Sequence, residues 1–174
     1  MTNHWRIQMS YLQSVHEKTN TRFWVNNPTL DDCRDSLVEG AFACTTNPAY
    51  CSKLLQTDPD YLYGLIKKVV STERNNQHPS ERVYHLAAKD LMDIFLPVYE
   101  SSNGTSGFVT IQEDPRKEED FAYILEASLR AKELGPNYMA KIPVTEPGLK
   151  VISSMVEHNV PICATEVFSL SQAL

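Results

Sequence analysis

The sequence predicts an α/β fold, a partial (β/α)8 TIM barrel of about five parallel strands with helices plus an N-terminal helix, and three observations carry that expectation. Short apolar runs alternate with stretches of helical period, the pattern of parallel strands joined by crossover helices. The runs ending at Val25, Cys44, Ile111, Ala140 and Ala164 are followed at once by Asn26, Thr46 and Asn47, Gln112, Lys141, and Thr165. Polar chemistry therefore gathers at the carboxyl ends of the strands, the rim on which barrel enzymes build their sites. No glycine-rich loop of the G-x-G-x-x-G or G-x-x-x-x-G-K type follows any run, which weighs against a doubly wound nucleotide-binding or flavodoxin-like alternative.

In order, residues 1–21 read as an N-terminal helical extension with Trp5, Met9, Leu12 and Val15 on one face, and residues 22–174 as the barrel-like domain. Arg22 to Val25 is β-prone, and Thr29 caps a helix carrying Leu30, Cys33 and Leu37 that ends at Gly40. Ala41 to Cys44 is the second strand, with Asn47 as the next N-cap and Pro48 at the first helical position. Two long helices start at Asp58-Pro59 and at Pro79-Ser80. The third strand, Gly107 to Ile111, leads through Asp114-Pro115, where Asp114 caps the following helix, and the acidic run Glu118 to Asp120 suits a helix N-terminus. The fourth strand spans Tyr138 to Ala140; Thr145 and Pro147 open a helix with Leu149, Ile152, Met155 and Val156. Pro161 to Ala164 is the fifth strand, and Val167 to Leu174 starts a further helix.

Composition narrows the function classes. A chain of 174 residues with 42% hydrophobic and 22% charged residues has an ordinary globular makeup, and its net charge of −6 offers no basic field for nucleic acid or an anionic membrane. Cys33, Cys44, Cys51 and Cys163 lack CxxC or zinc spacing and read as reduced thiols in apolar surroundings. With no signal-like segment or membrane-length apolar run, the expected location is the cytoplasm. The five histidines, His4, His16, His78, His85 and His158, read as surface or helix-end residues, and no metal site is expected.

The stretch Tyr138 to Leu149 sets one lysine, Lys141, inside a short apolar run. Desolvation disfavours an ammonium, and a lysine so treated becomes an amine nucleophile able to condense with a carbonyl. The alternative is that Lys141 sits at a strand end and snorkels to water.

Three segments taken together resemble the transaldolase family: Thr45-Thr46-Asn47-Pro48, Lys141 to Leu149, and Thr165 to Leu174. The resemblance runs from about Arg22 to the C-terminus. It implies a class I mechanism without cofactor, in which Lys141 attacks the ketone of a ketose phosphate. Retro-aldol cleavage then releases an aldose and leaves a three-carbon unit for an acceptor aldehyde. Asn47, with Thr46 beside it, matches the substrate-binding segment, and Thr165 matches the threonine that positions a catalytic water. Asn47 also reads simply as a helix cap, and Thr165 as an ordinary strand-end hydroxyl.

The sequence also departs from the family. Asn26 stands where the family carries an aspartate that moves the proton, and an amide is no general base. Gln112 stands where transaldolases proper carry a glutamate, although the small fructose-6-phosphate aldolases resemble this chain there. Glu113 and Glu166 neighbour Gln112 and Thr165, but alternation along a strand sends them to the opposite face. The phosphate-binding residues that the family supplies from later strands have no counterpart. Five strands leave open edges, so a homo-oligomer or completion by further chain is expected. The readings to separate are a transaldolase or aldolase acting on a sugar phosphate, and a catalytically impaired relative that binds a sugar phosphate or a partner.

Overall fold

The computed structural model describes residues 9–73 and 78–174. Five strands form one parallel sheet: β1 (Trp24–Asn26), β2 (Ala43–Thr45), β3 (Val109–Gln112), β4 (Tyr138–Pro143) and β5 (Ile162–Thr165). Their spatial order is their chain order, β1-β2-β3-β4-β5. A doubly wound sheet reverses direction at a switch point. This one never reverses, so the strands progress around one side of a barrel and form a half-barrel with β1 and β5 at its edges.

Helices pack on the convex side and at the ends of the strands. They are α1 (Tyr11–Lys18), α2 (Leu30–Val38), α3 (Tyr50–Thr57), α4 (Pro59–Thr72), α5 (Pro79–Ser101), α6 (Phe121–Lys132), α7 (Glu146–Glu157) and a short α8 (Leu170–Ala173). Of the expected N-terminal helix, Trp5 lies outside the described residues. The helix opens with a capping box between Ser10 and Gln13, and Gln13 Nε2 donates to the Val38 carbonyl (2.8 Å), tying α1 to the end of α2.

Local chemistry explains most boundaries. Thr29, Asp58, Asp120, Thr145 and Ser169 each accept a hydrogen bond from a backbone N–H in the first turn of the helix that follows. Two caps fall elsewhere than expected. Asp114 caps a single 3₁₀ turn, Pro115–Lys117, and α6 starts later behind Asp120. Asn47 precedes a turn, and α3 starts at Tyr50; Asn47 Oδ1 accepts from the Ala49 N–H (3.0 Å).

The strands also run further than their apolar residues. Asn26, Thr45, Gln112, Lys141 and Thr165 all remain in the parallel ladder. The ladder needs only backbone groups, and these side chains face the concave side, where polarity is tolerated. Register and alternation assign the faces. Cys44, Val109, Ile111, Ala140 and Ile142 are buried against the helices with Leu91, Phe95, Val151 and Met155. The opposite parity puts Asn26, Thr45, Thr110, Gln112, Met139, Lys141, Cys163 and Thr165 on the concave face.

One glycine fixes the exit from β4. A Cβ on Gly148 would lie 2.0 Å from the Pro143 carbonyl oxygen, so the first turn of α7 can fold back on the strand only without a side chain there. The Gly148 N–H in turn donates to Thr145 Oγ1 (3.1 Å).

Candidate active site

The carboxyl rim is built around Lys141. It sits on β4 with Gln112 of β3 as its register partner on one side and Cys163 of β5 on the other. Its half-buried ammonium donates to the backbone carbonyl of Thr46 (3.4 Å) at the end of β2. The side chain therefore reaches sideways over the concave face. Burial pushes the Cys163 thiol up from its ordinary value, and the nearby Lys141 charge draws it partly back. This cysteine belongs to the rim face rather than to the core, unlike the fully buried Cys33 and Cys44.

Thr46 supports this arrangement through its main chain. Its side chain is fully buried, its hydroxyl donates to the Thr110 carbonyl (2.6 Å), and it shares a 2.7 Å hydrogen bond with the Tyr84 phenol. The Tyr84 oxygen also accepts from the Gln112 N–H (3.2 Å). Tyr84 of α5 thus pins the ends of β2 and β3, and burial pushes its phenol well above the ordinary value. Its role is not legible in sequence, because α5 meets the two strand ends only in three dimensions. The consequence for Thr46 is that its carbonyl, not its hydroxyl, faces the lysine.

Asn47 is held by Asn27. The Asn27 amide donates to Asn47 Oδ1 (3.2 Å) and the Asn47 N–H donates to Asn27 Oδ1 (3.2 Å), a reciprocal clasp between the loops after β1 and β2. Asn27 adopts φ +47°, a left-handed conformation that asparagine tolerates better than most residues, and the Lys53 ammonium binds its carbonyl (2.7 Å). Asn26, the preceding residue, is exposed on the open edge strand.

The two glutamates next to the site behave differently. Glu113 follows the parity expected of it: it is buried behind the strand, with Oε2 3.6 Å from His85 Nε2. His85 is therefore an interior residue of α5, contrary to its reading as a surface or helix-end histidine, because Glu113 gives it a polar neighbour there. Glu166 breaks the parity expectation. It adopts φ +62°, which turns the chain out of the extended path, and its Oε1 accepts from Gln112 Nε2 (2.9 Å). Alternation assumes extended backbone, and at Glu166 that assumption fails.

Thr165 pairs with Pro143, and its carbonyl accepts from the Val144 N–H (2.9 Å), so the ends of β4 and β5 stay zipped together. Asn26, Thr45, Gln112, Lys141 and Thr165 thus share one rim, with Asn47 and Glu166 reaching it from loops. A cavity of about 820 Å3 opens at the other end of the strands, beside Arg22, Gly40, Phe42 and Ser106. Barrel chemistry belongs to the carboxyl rim, so that cavity is not the candidate. Among the described residues no group of three or more His, Cys, Asp or Glu side chains is arranged to hold a metal ion.

Half of a parallel α/β barrel with a lysine on its fourth strand and amides and hydroxyls around it defines the general class of barrel domains with a carboxyl-rim site. The family model for transaldolase/fructose-6-phosphate aldolase matches residues 24–174, and the chain belongs to that family. A transaldolase of Thiobacillus denitrificans is 26% identical over 162 residues, which cover 86% of this chain and 44% of the relative. A protein named transaldolase 2 from Nostoc punctiforme is 30% identical over 171 residues, covering 97% of this chain and 44% of the relative. A Helicobacter pylori transaldolase is 35% identical over 89 residues, covering 48% of this chain and 28% of the relative. The chain spans less than half the length of these relatives. Among the described residues no helix is long and apolar enough to cross a membrane.

Proposed function

We propose that this chain carries the Schiff-base half of a transaldolase-type site, with Lys141 as the nucleophile that condenses with the ketone of a sugar phosphate. The observation that carries the reading is the placement of the Lys141 amine: on the concave face, half-buried, and bound to the main-chain carbonyl of Thr46. A main-chain carbonyl acceptor holds the amine over the concave face beside Gln112 and Cys163. Asn47, clasped by Asn27, presents an amide to the hydroxyls of the three-carbon unit, and Thr165 positions a water for imine hydrolysis. Gln112 and Asn26 flank the site as amides. The reaction needs no metal or organic cofactor, because the iminium itself withdraws electrons from the bond that breaks.

A second reading is favoured by one specific feature. Asn26 and Gln112 place amides, which do not exchange protons, where the resemblance leads one to expect acids, and this suits an impaired relative that binds a sugar phosphate without turning it over. The exposed edges of β1 and β5 suit completion of the barrel by further chain or by a second copy under either reading.

Borohydride reduction in the presence of fructose 6-phosphate tests the first reading. A stable adduct on the intact mass of the protein is expected, absent in Lys141→Met. No adduct at millimolar ketose contradicts it and leaves the binding role.

A further inference from the structure

We propose that Glu166 is the proton-transferring group of this site and that Gln112 is the residue that positions it. The assignment rests on the Schiff-base reading of Lys141 and supplies the acid–base that Asn26 and Gln112 cannot.

Three observations converge on Glu166. Its backbone is left-handed, φ +62°, a strained conformation for a non-glycine residue that persists only where the surroundings enforce it. The enforcement is visible: Gln172 Nε2 donates both to the Glu166 carbonyl (3.2 Å) and to the Val144 carbonyl (3.0 Å), clamping the turn after β5 onto the end of β4. The product of that strained turn is a carboxylate delivered back over the concave face, where Oε1 accepts from Gln112 Nε2 (2.9 Å).

Gln112 is the register partner of Lys141, and paired strands lie about 4.8 Å apart. The carboxylate is thus one side chain removed from the nucleophile's own strand. The other candidates are engaged elsewhere. Glu113 lies behind β3 beside His85, and Asp114 is paired with Arg116. Gln112 holds one oxygen of Glu166 and leaves the second for a substrate hydroxyl. An amide is suited to that task, since it orients a carboxylate without competing for the proton.

The step balances without any co-reactant. With the ketose joined to Lys141 Nζ as an iminium, the Glu166 carboxylate removes the proton from the hydroxyl on the carbon that is to leave. That O–H electron pair becomes the carbonyl of the departing aldose. The carbon–carbon bond breaks, its electron pair forms the enamine double bond, and the iminium π pair returns to nitrogen. When an acceptor aldehyde adds, the same electrons flow back and the Glu166 carboxyl returns its proton to the new hydroxyl.

The test compares the unmodified chain with Glu166→Gln and Glu166→Asp under fructose 6-phosphate, reading borohydride-trapped adduct and single-turnover aldose release against pH. Expected are equal adduct yields in all three and release slowed on the order of 100-fold or more in Glu166→Gln. Glu166→Asp should recover part of the rate, and the acid-side fall in rate should disappear only in Glu166→Gln. Adduct with undiminished release in Glu166→Gln overturns the assignment alone, as does adduct without release in the unmodified chain. Loss of adduct in Glu166→Gln also overturns it, showing a role in folding or binding instead. No adduct in the unmodified chain overturns the Schiff-base reading and this assignment together.

Discussion

The Lys141 amine donates to the main-chain carbonyl of Thr46, 3.4 Å away and two strands across the sheet. A main-chain acceptor cannot be lost by side-chain substitution at Thr46, so the position of the amine depends on where β2 ends. Replacing Lys141 by Met removes the amine and one weak hydrogen bond while keeping an unbranched apolar stem. The expected outcome is complete loss of borohydride-trapped adduct with stability changed by no more than about 1 kcal/mol, read from the urea midpoint. A variant that still traps ketose would place the nucleophile elsewhere.

Tyr84 fixes that strand end. Tyr84→Phe deletes an oxygen shared by the Thr46 hydroxyl and the Gln112 N–H, and leaves the buried Gln112 N–H without that partner. A loss of about 1–3 kcal/mol is expected from denaturant unfolding, together with a lower adduct yield because the Thr46 carbonyl moves. A variant as stable as the unmodified chain would show that Tyr84 does not hold these strands.

Gly148 makes a comparable prediction at β4. A methyl group at this position would come within 2.0 Å of the Pro143 carbonyl oxygen, which is backbone and cannot swing aside, so Gly148→Ala must push α7 away from the strand that carries Lys141. The expected cost is about 1–3 kcal/mol, measurable by thermal or urea unfolding, with reduced adduct formation. An unchanged midpoint would mean that the turn relaxes freely.

The pH dependence of stability turns on Glu81. Burial raises its carboxyl, but the Arg130 fork, with Nε on Oε1 (2.8 Å) and Nη2 on Oε2 (3.0 Å), outweighs that together with the neighbouring His85 and His78, and the net effect holds Glu81 below its ordinary value. A depressed folded value means that this contribution is fully present above the unfolded value of about 4.3 and is lost as pH falls through the folded value. Urea midpoints of the unmodified chain and Glu81→Gln should therefore differ at pH 7 and converge as the pH drops below about 4. A constant gap across that range would contradict the linkage.

Much of the fold is legible in the sequence because it rests on local chemistry. Thr29, Asp58 and Thr145 mark helix starts through their own side-chain oxygens, and alternation identifies the strands. Apolar runs understate the strand ends, because hydrophobicity stops at Val25, Cys44 and Ile111, whereas the backbone ladder continues through the polar residues that face the concave side. Of the candidate site, spacing and family resemblance single out the lysine and its rim neighbours. Tyr84 and Asn27 cannot, because their hydrogen bonds join distant segments. Counting by twos puts Glu166 on the wrong face for a physical reason: the count holds only while φ stays extended, and no residue pattern announces the left-handed turn that Gln172 stabilises from six residues downstream.

Two amines serve the same rim: Lys141 on β4, and Lys53 of α3, whose Nζ donates to the Asn27 carbonyl (2.7 Å). Peptide mass mapping after borohydride reduction with fructose 6-phosphate distinguishes them. The reduced ketose should be found on the peptide containing Lys141, with the Lys53 peptide unmodified. A label on Lys53, or spread over surface lysines while Lys141 stays unmodified, would contradict the placement of the nucleophile on the fourth strand.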